Sequence, residues 1–322
     1  MDILLVEKLA ADALAWLHAR YSVETRPELA ADPGALRKAI FKAEAVVLPR
    51  KVPVGTELLN WAPRLRVVGR MHEGTDDTDL LACRERGVKV IDPGVATVRS
   101  NAEYLLASLL LLYRRGIGAA LAGERHATLS LGRELHGSTV GIFGLAPTAH
   151  ALALTLTALG ARLVGYDPAV HHTAPLWARL QVRPLSLHDM LAQADAISVQ
   201  VLYAPRYKGF INDNVLAHCK PGQLWVGISR TDVFDPEALA RALTDGRIKE
   251  CLLDGPESGF ASRGTPLHEL NNLIITPRLG AYTREARLRA SWHLAHRIDE
   301  ALTEAGTHGH PDIPPTQHMG LE

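Results

Sequence analysis

The chain is poor in most of the features that would place it at a glance. Cysteine is scarce: Cys83, Cys219 and Cys251 are the only three, far apart, with no C-x-x-C and no histidine at ligand spacing. That excludes a disulfide framework and a zinc site as the basis of the fold, and suits a reducing compartment. Net charge is missing as well. Lysine plus arginine and aspartate plus glutamate number 35 each, so nothing advertises a nucleic acid or an anionic membrane surface as partner. Long apolar runs are absent too. "LLASLLLLY" stops at Arg114 and Arg115, well short of the ~20 residues a membrane span needs. The start, "MDILLVEKLA", carries an acid at its second position and reads as a first strand rather than a signal peptide. A cytoplasmic protein is expected, without membrane or nucleic-acid partners. No solenoid-period repeat and no low-complexity tract stands out.

What is present is alternation. "ILLV", "AVVLP", "LRVVG" and "VKVID" are short apolar runs separated by helical stretches such as "LAADALAWLHARY". A long helix is predicted over about 101–115. A second set of strands follows: "TVGIFG", "RLVGYD", "AISVQV", "LWVGIS", "ECLLD" and "LIITP". This is the signature of parallel sheets with crossover helices. The expected fold is α/β, with two doubly wound parallel-sheet domains in 322 residues. One domain spans 1–100 and is completed by 284–322 through the terminal helix. The other spans 101–283.

"VGIFGLAPTAH" stands where a strand runs into a turn and a helix, the place a dinucleotide-binding chain puts G-x-G-x-x-G. The three positions hold Gly144, Ala146 and Ala149, with Pro147 and Thr148 between the last two. Gly144 can make the tight turn, and alanine is tolerated at the third position. Ala146 adds a methyl where the backbone approaches a pyrophosphate. Pro147 fits a first helical turn but removes one N–H from the anion-facing end. Asp167, ending "VGYD", lies about 20 residues on, the spacing of the acid that takes ribose hydroxyls and favours NAD. It could equally cap the following turn.

The motif series resembles the D-isomer-specific 2-hydroxyacid dehydrogenases along nearly the whole chain. "EGTDDTDL" is similar to that family's G-x-D-x-x-D loop, and "NAEYLLASLLLLYRR" to its A-E helix. "LGRELHGSTVGIFGL" is similar to the lead-in to its nucleotide loop. "GFINDNVLAHCKPGQLWVGISRTDVFDPEALARAL" resembles the segment with the catalytic arginine, and "LLDGPESGF…PLHELNNLIITPRLGAYT" the last one. The resemblance implies a Rossmann-like nucleotide domain over 101–283, a flavodoxin-like substrate domain, NAD as cofactor, a 2-hydroxy or 2-keto acid as substrate, and a homodimer.

It also implies an arginine that clamps the substrate carboxylate, a proton-carrying histidine and a glutamate that orients it. Arg230 matches the arginine. Asp254 matches the aspartate that opens the glutamate segment and is expected at the cofactor side. The glutamate position falls on Gly259, and the family's T-P-H triplet reads Thr276-Pro277-Arg278. Arg278 cannot shuttle protons at working pH, but it could hold an anion. Glu257 stands two residues before the glutamate position. Leu202 and Tyr203 replace a Pro-Leu, and Thr231 replaces the glycine after the arginine.

In the first domain, Gly74 matches the glycine of the family's carboxylate loop and is preceded by His72 and Glu73. His72 beside Glu73 could act as an acid–base pair. Glu73 could pair with Arg278, Arg230 or Arg70, or face solvent. No metal site is expected, and His171 and His172 read as loop residues. Three functions follow: a catalytically impaired dehydrogenase-like protein that keeps a cleft for NAD or a small anion; an active NAD-dependent oxidoreductase with a non-standard acid or base; or a structural, regulatory paralogue acting through dimerisation.

Overall fold

Strands buried along most of their length set the architecture. A computed structural model describes residues 1–72, 74, 77–114 and 131–303. By contacts the chain divides into a first unit, Met1–Gly94 with the chain from Arg287 onward, and a second, Val95–Ala286. The sequence places these boundaries at 100/101 and 283/284. The first break falls earlier, at the helical turn Gly94–Thr97 that leads into the long helix, and the second falls later, inside the terminal helix.

The first unit contains β1 (Ile3–Leu5), α1 (Ala11–His18), β2 (Val23–Thr25), α2 (Pro33–Ile40), β3 (Ala45–Val47), α3 (Thr56–Leu59), β4 (Val67–Gly69), α4 (Leu80–Glu85) and β5 (Lys89–Ile91). All pairings are parallel, in the order β2-β1-β3-β4-β5. This is the flavodoxin-like order. Successive side chains point to opposite faces. Leu4, Val46 and Val68 therefore enter one core, and Ile3, Leu5, Ala45, Val47 and Val67 enter the other. Burial on both faces explains why these strands read as unbroken apolar runs.

The second unit contains α5 (Val98–Arg114), β6 (Thr139–Phe143), α6 (Pro147–Ala158), β7 (Arg162–Tyr166), α7 (Pro175–Arg179), β8 (Arg183–Pro184), α8 (Leu187–Gln193) and β9 (Ala196–Val199). It continues with α9 (Asp213–Leu216), β10 (Gln223–Gly227), α10 (Pro236–Thr244), β11 (Ile248–Asp254) and β12 (Leu273–Thr276). The last helix, α11 (Arg284–Thr303), carries Leu294, Ala295, Ile298 and Leu302 into the first unit's core.

The seven-stranded sheet runs β12-β11-β10-β9-β6-β7-β8, all parallel. Counted from β6, this is the Rossmann order with a seventh strand added. The direction of winding reverses between β6 and β9, and ligands of such sheets bind beside the carboxyl ends at that switch point. Helix starts are set by local caps. Asp32 accepts from Ala35 N, Ser186 from Asp189 N and Asp235 from Ala238 N, with proline at the first turn of α2 and α10. The start of α6 has Pro147 but no side-chain cap.

Candidate functional site

The candidate residues of the second unit gather at or after the carboxyl ends of strands in one sheet. After β6 the chain turns at Gly144, whose φ is +96°. A Cβ there would stand 2.4 Å from Val201 Cα and 2.5 Å from its nitrogen, so the close approach of the chain leaving β9 demands glycine. Gln200 Nε2 donates to the Gly144 carbonyl at 3.0 Å, across the switch point.

Asp167, just past β7, accepts from Leu145 N at 2.6 Å and from Ala169 N at 2.7 Å. It both caps its own turn and ties down the loop. Ala146 is extended, and Pro147 opens α6, where the N–H it lacks would have had no intrahelical partner. Thr148 and Ala149 are buried beneath the turn. The loop is therefore a tight turn tied to β9 and to Asp167, with alanine at two of the three glycine positions.

Arg230 follows β10, and its described partners include Tyr203, Asp232 and Glu257. Its guanidinium lies 4.5 Å from the centre of the Tyr203 ring, its Nη2 pairs with Asp232, and its Nε lies 3.3 Å from Glu257 Oε1. Glu257 is held from the other side. Its Oε2 accepts from Thr231 N at 2.7 Å and from the Thr231 hydroxyl, and its own N–H donates to Thr231 Oγ1 at 3.2 Å. The threonine that replaces the expected glycine thus fixes a carboxylate against the arginine.

Asp254, ending β11, spends its carboxylate on the loop after β12. Oδ1 accepts from Thr276 Oγ1 at 2.6 Å and Leu279 N at 2.7 Å, and Oδ2 accepts from Gly280 N at 2.7 Å. These bonds hold the stretch Thr276-Pro277-Arg278 in place. Arg278 is exposed, adopts φ +59°, and lays its side chain over Gly255, where a Cβ would fall 2.1 Å from its Cγ. Gly259 has φ +91°, and a Cβ added to it would have nothing within 4 Å. A glutamate there meets open space but a backbone conformation that resists it.

In the first unit, Arg70 is a structural residue. It is 1% exposed and donates to Pro49 O, Val52 O and Asp77 O at 3.0 Å each, and to Thr78 Oγ1. His72 pairs with Asp77, Nε2 standing 3.0 Å from Oδ2. Burial and the charge of Arg50 push the imidazole down to about 4, against the upward pull of Asp77. Gly74 adopts φ +89°. Glu73 lies outside the described residues, and with it the suggested ion pair to Arg278. His171 and His172 are exposed, and the three cysteines are buried. Among the described residues no group of three metal-ligating side chains occurs.

Sequence reasoning missed two features. The Thr231–Glu257 latch joins residues 26 apart, and no spacing rule points to it. The His72–Asp77 pair could have been found, since the aspartate lies in the quoted loop motif five residues on.

The family model described as D-isomer specific 2-hydroxyacid dehydrogenase, NAD binding domain, matches residues 107–280. D-3-phosphoglycerate dehydrogenase of Mycobacterium tuberculosis is 37% identical over 307 residues, 93% of this chain and 56% of that protein. The chain thus spans about half the length of that relative. The (S)-sulfolactate dehydrogenase of Chromohalobacter salexigens is 31% identical over 305 residues, 94% of this chain and 98% of that one. The D-lactate dehydrogenase structure from Aquifex aeolicus, complexed with NAD and lactic acid, shares the fold with a TM-score of 0.77 at 22% identity, covering 94% and 96% of the two chains. The chain belongs to the D-isomer specific 2-hydroxyacid dehydrogenase family.

Proposed function

We propose that the chain is a divergent dehydrogenase-like protein that binds NAD at the carboxyl edge of the seven-stranded sheet and a small 2-keto or 2-hydroxy acid at Arg230, with the proton-transfer half of the family reaction strongly impaired. The observation that carries this reading is the pair of positions where acid–base groups belong. Gly259 has no side chain, and Arg278 carries a guanidinium that stays protonated across the working pH range. The acid is proposed by chemistry shared with the relatives, which are named for phosphoglycerate, sulfolactate and lactate.

The residues fit a dinucleotide. Gly144 makes the close turn, α6 starts there without a side-chain cap, and Asp167 stands at the end of the neighbouring strand. When bound, the reduced cofactor supplies a hydride. Arg230 would hold a carboxylate by charge-assisted hydrogen bonds. No side chain at 259 or 278 can give the carbonyl oxygen its proton, a loss worth ~10²–10⁴ in rate. The proposal includes a homodimer through α5, where Leu110 is 39% exposed, and a cytoplasmic setting for the three free thiols.

Titrating NADH into the protein and following its fluorescence, with NADPH as comparison, tests the binding half. Saturation in the micromolar range with NADH preferred is expected; no binding up to millimolar NADH contradicts it. One observation favours a second reading. His72 held by Asp77 at 3.0 Å has the form of an oriented proton acceptor, and in an active oxidoreductase it would take the histidine's role. NADH-dependent reduction of glyoxylate that vanishes in His72→Asn would favour that reading over the first.

A further inference from the structure

The Arg230 cluster is over-supplied with negative charge. One guanidinium faces two carboxylates, Asp232 and Glu257, and is stacked on Tyr203. The two acids are not alike. Asp232 is two residues along the same turn, 30% exposed, and pairs with Arg230 Nη2. Glu257 comes from the loop after β11 and is held by both the N–H and the hydroxyl of Thr231, which is 1% exposed. Those two bonds both fall on Oε2. The other oxygen, Oε1, is buried, accepts no hydrogen bond among the described residues, and stands 3.3 Å from Arg230 Nε. It meets the arginine by charge alone, without the alignment of a hydrogen bond.

We propose that Glu257 is an internal competitor for the substrate carboxylate at Arg230, latched by Thr231, and that it sets the charge of acid the site accepts. This rests on the reading of Arg230 as the acid-binding arginine. An incoming carboxylate offering two parallel acceptors makes better bonds to the guanidinium than Oε1 does, so it displaces that oxygen while Thr231 keeps the loop in place. The cost of displacement weakens binding of every acid. The residual negative charge of Asp232 and Glu257 weakens a dianion more than a monoanion.

The test uses calorimetric titration of oxamate, a monoanion, and tartronate, a dianion, into the wild type and Glu257→Gln. The amide keeps an oxygen for Thr231 and removes the charge. Oxamate should bind about tenfold more tightly to the variant, and tartronate should gain by a larger factor. Adding Arg230→Gln to that variant should abolish the gain. Thr231→Val, which keeps the buried shape and loosens the latch, should shift both affinities in the same direction by a smaller factor; it also serves if the first variant fails to fold. A site in which Glu257 is only structural gives the opposite result, with equal or weaker binding after substitution. Arg230-dependent oxamate binding that Glu257→Gln leaves unchanged or weakens overturns the competitor role and spares the proposed function. No oxamate binding in either protein overturns both.

Discussion

The loop after β6 and the loops after β11 and β12, at the carboxyl ends of strands in one sheet, depart from the family pattern in opposite ways. The loop after β6 has alanine at two of its three marked glycine positions, yet Gly144, Gln200 and Asp167 hold its backbone in a tight turn. The loops after β11 and β12 keep their anchor, with Asp254 accepting three hydrogen bonds from Thr276, Leu279 and Gly280. The proton-carrying side chains expected on them are gone. A function delivered by backbone N–H groups and turn geometry tolerates side-chain exchange, while a function delivered by an imidazole and a carboxylate does not. The contrast separates binding from proton transfer.

The comparison is most sharply broken on the β6 side. Gly144→Ala places a methyl 2.4 Å from the Val201 backbone at φ +96°. It should destabilise the protein by about 3 kcal/mol or more, read by chemical denaturation, and should abolish any NADH binding. On the β11 side, Asp254→Asn replaces an acceptor of three bonds by a group that must leave one buried donor unmatched. A loss of about 2 kcal/mol is expected by the same measurement. If the contrast holds, this variant disturbs the Arg278 loop and leaves NADH affinity unchanged.

A third check moves to His72, whose imidazole is paired with Asp77. His72 titrates at about 4 in the folded chain and near 6.5 when unfolded. Between those values the unfolded chain binds the extra proton, so stability falls as pH drops from about 6.5 to 4 and is fully present above that window. His72→Gln should flatten this limb by an amount on the order of 2 kcal/mol, seen in denaturation curves at pH 4.5 and 7.5. The smallest effect is expected at Arg278, a non-glycine residue at φ +59°. Arg278→Gly should stabilise the protein by about 0.5–1 kcal/mol, because the backbone strain goes while only an exposed side chain is lost.

Much of the fold is legible in the sequence because its strands are buried on both faces. "ILLV", "AVVLP" and "LWVGIS" are apolar runs of strand length, and their alternation with helices admits few arrangements other than parallel sheets. The turn at Gly144 is legible as a glycine after an apolar strand, and Asp167, at the spacing counted from it, accepts a hydrogen bond from Leu145 N in that turn. The departures at Gly259 and Arg278 can be counted out along the chain.

Pairings set by tertiary closeness are not legible. Thr231 reads as a lost glycine until its hydroxyl meets Glu257. The described partner of His72 is Asp77, five residues on in the same loop. The motif match puts Asp254 with the cofactor, yet its oxygens are taken by the neighbouring loop, a hydrogen-bond count that no one-dimensional pattern contains.

The most direct test of the separation between binding and proton transfer is a single-turnover experiment. Protein saturated with NADH is mixed with excess glyoxylate, and loss of the reduced cofactor is followed by absorbance. The account predicts a bound cofactor and a slow step, on the order of 10⁻¹ to 10⁻³ s⁻¹, because a typical ~10 s⁻¹ is reduced by the ~10²–10⁴ that acid–base catalysis supplies. A rate of about 10 s⁻¹ or more would contradict it, and would show that another group on this chain carries the proton.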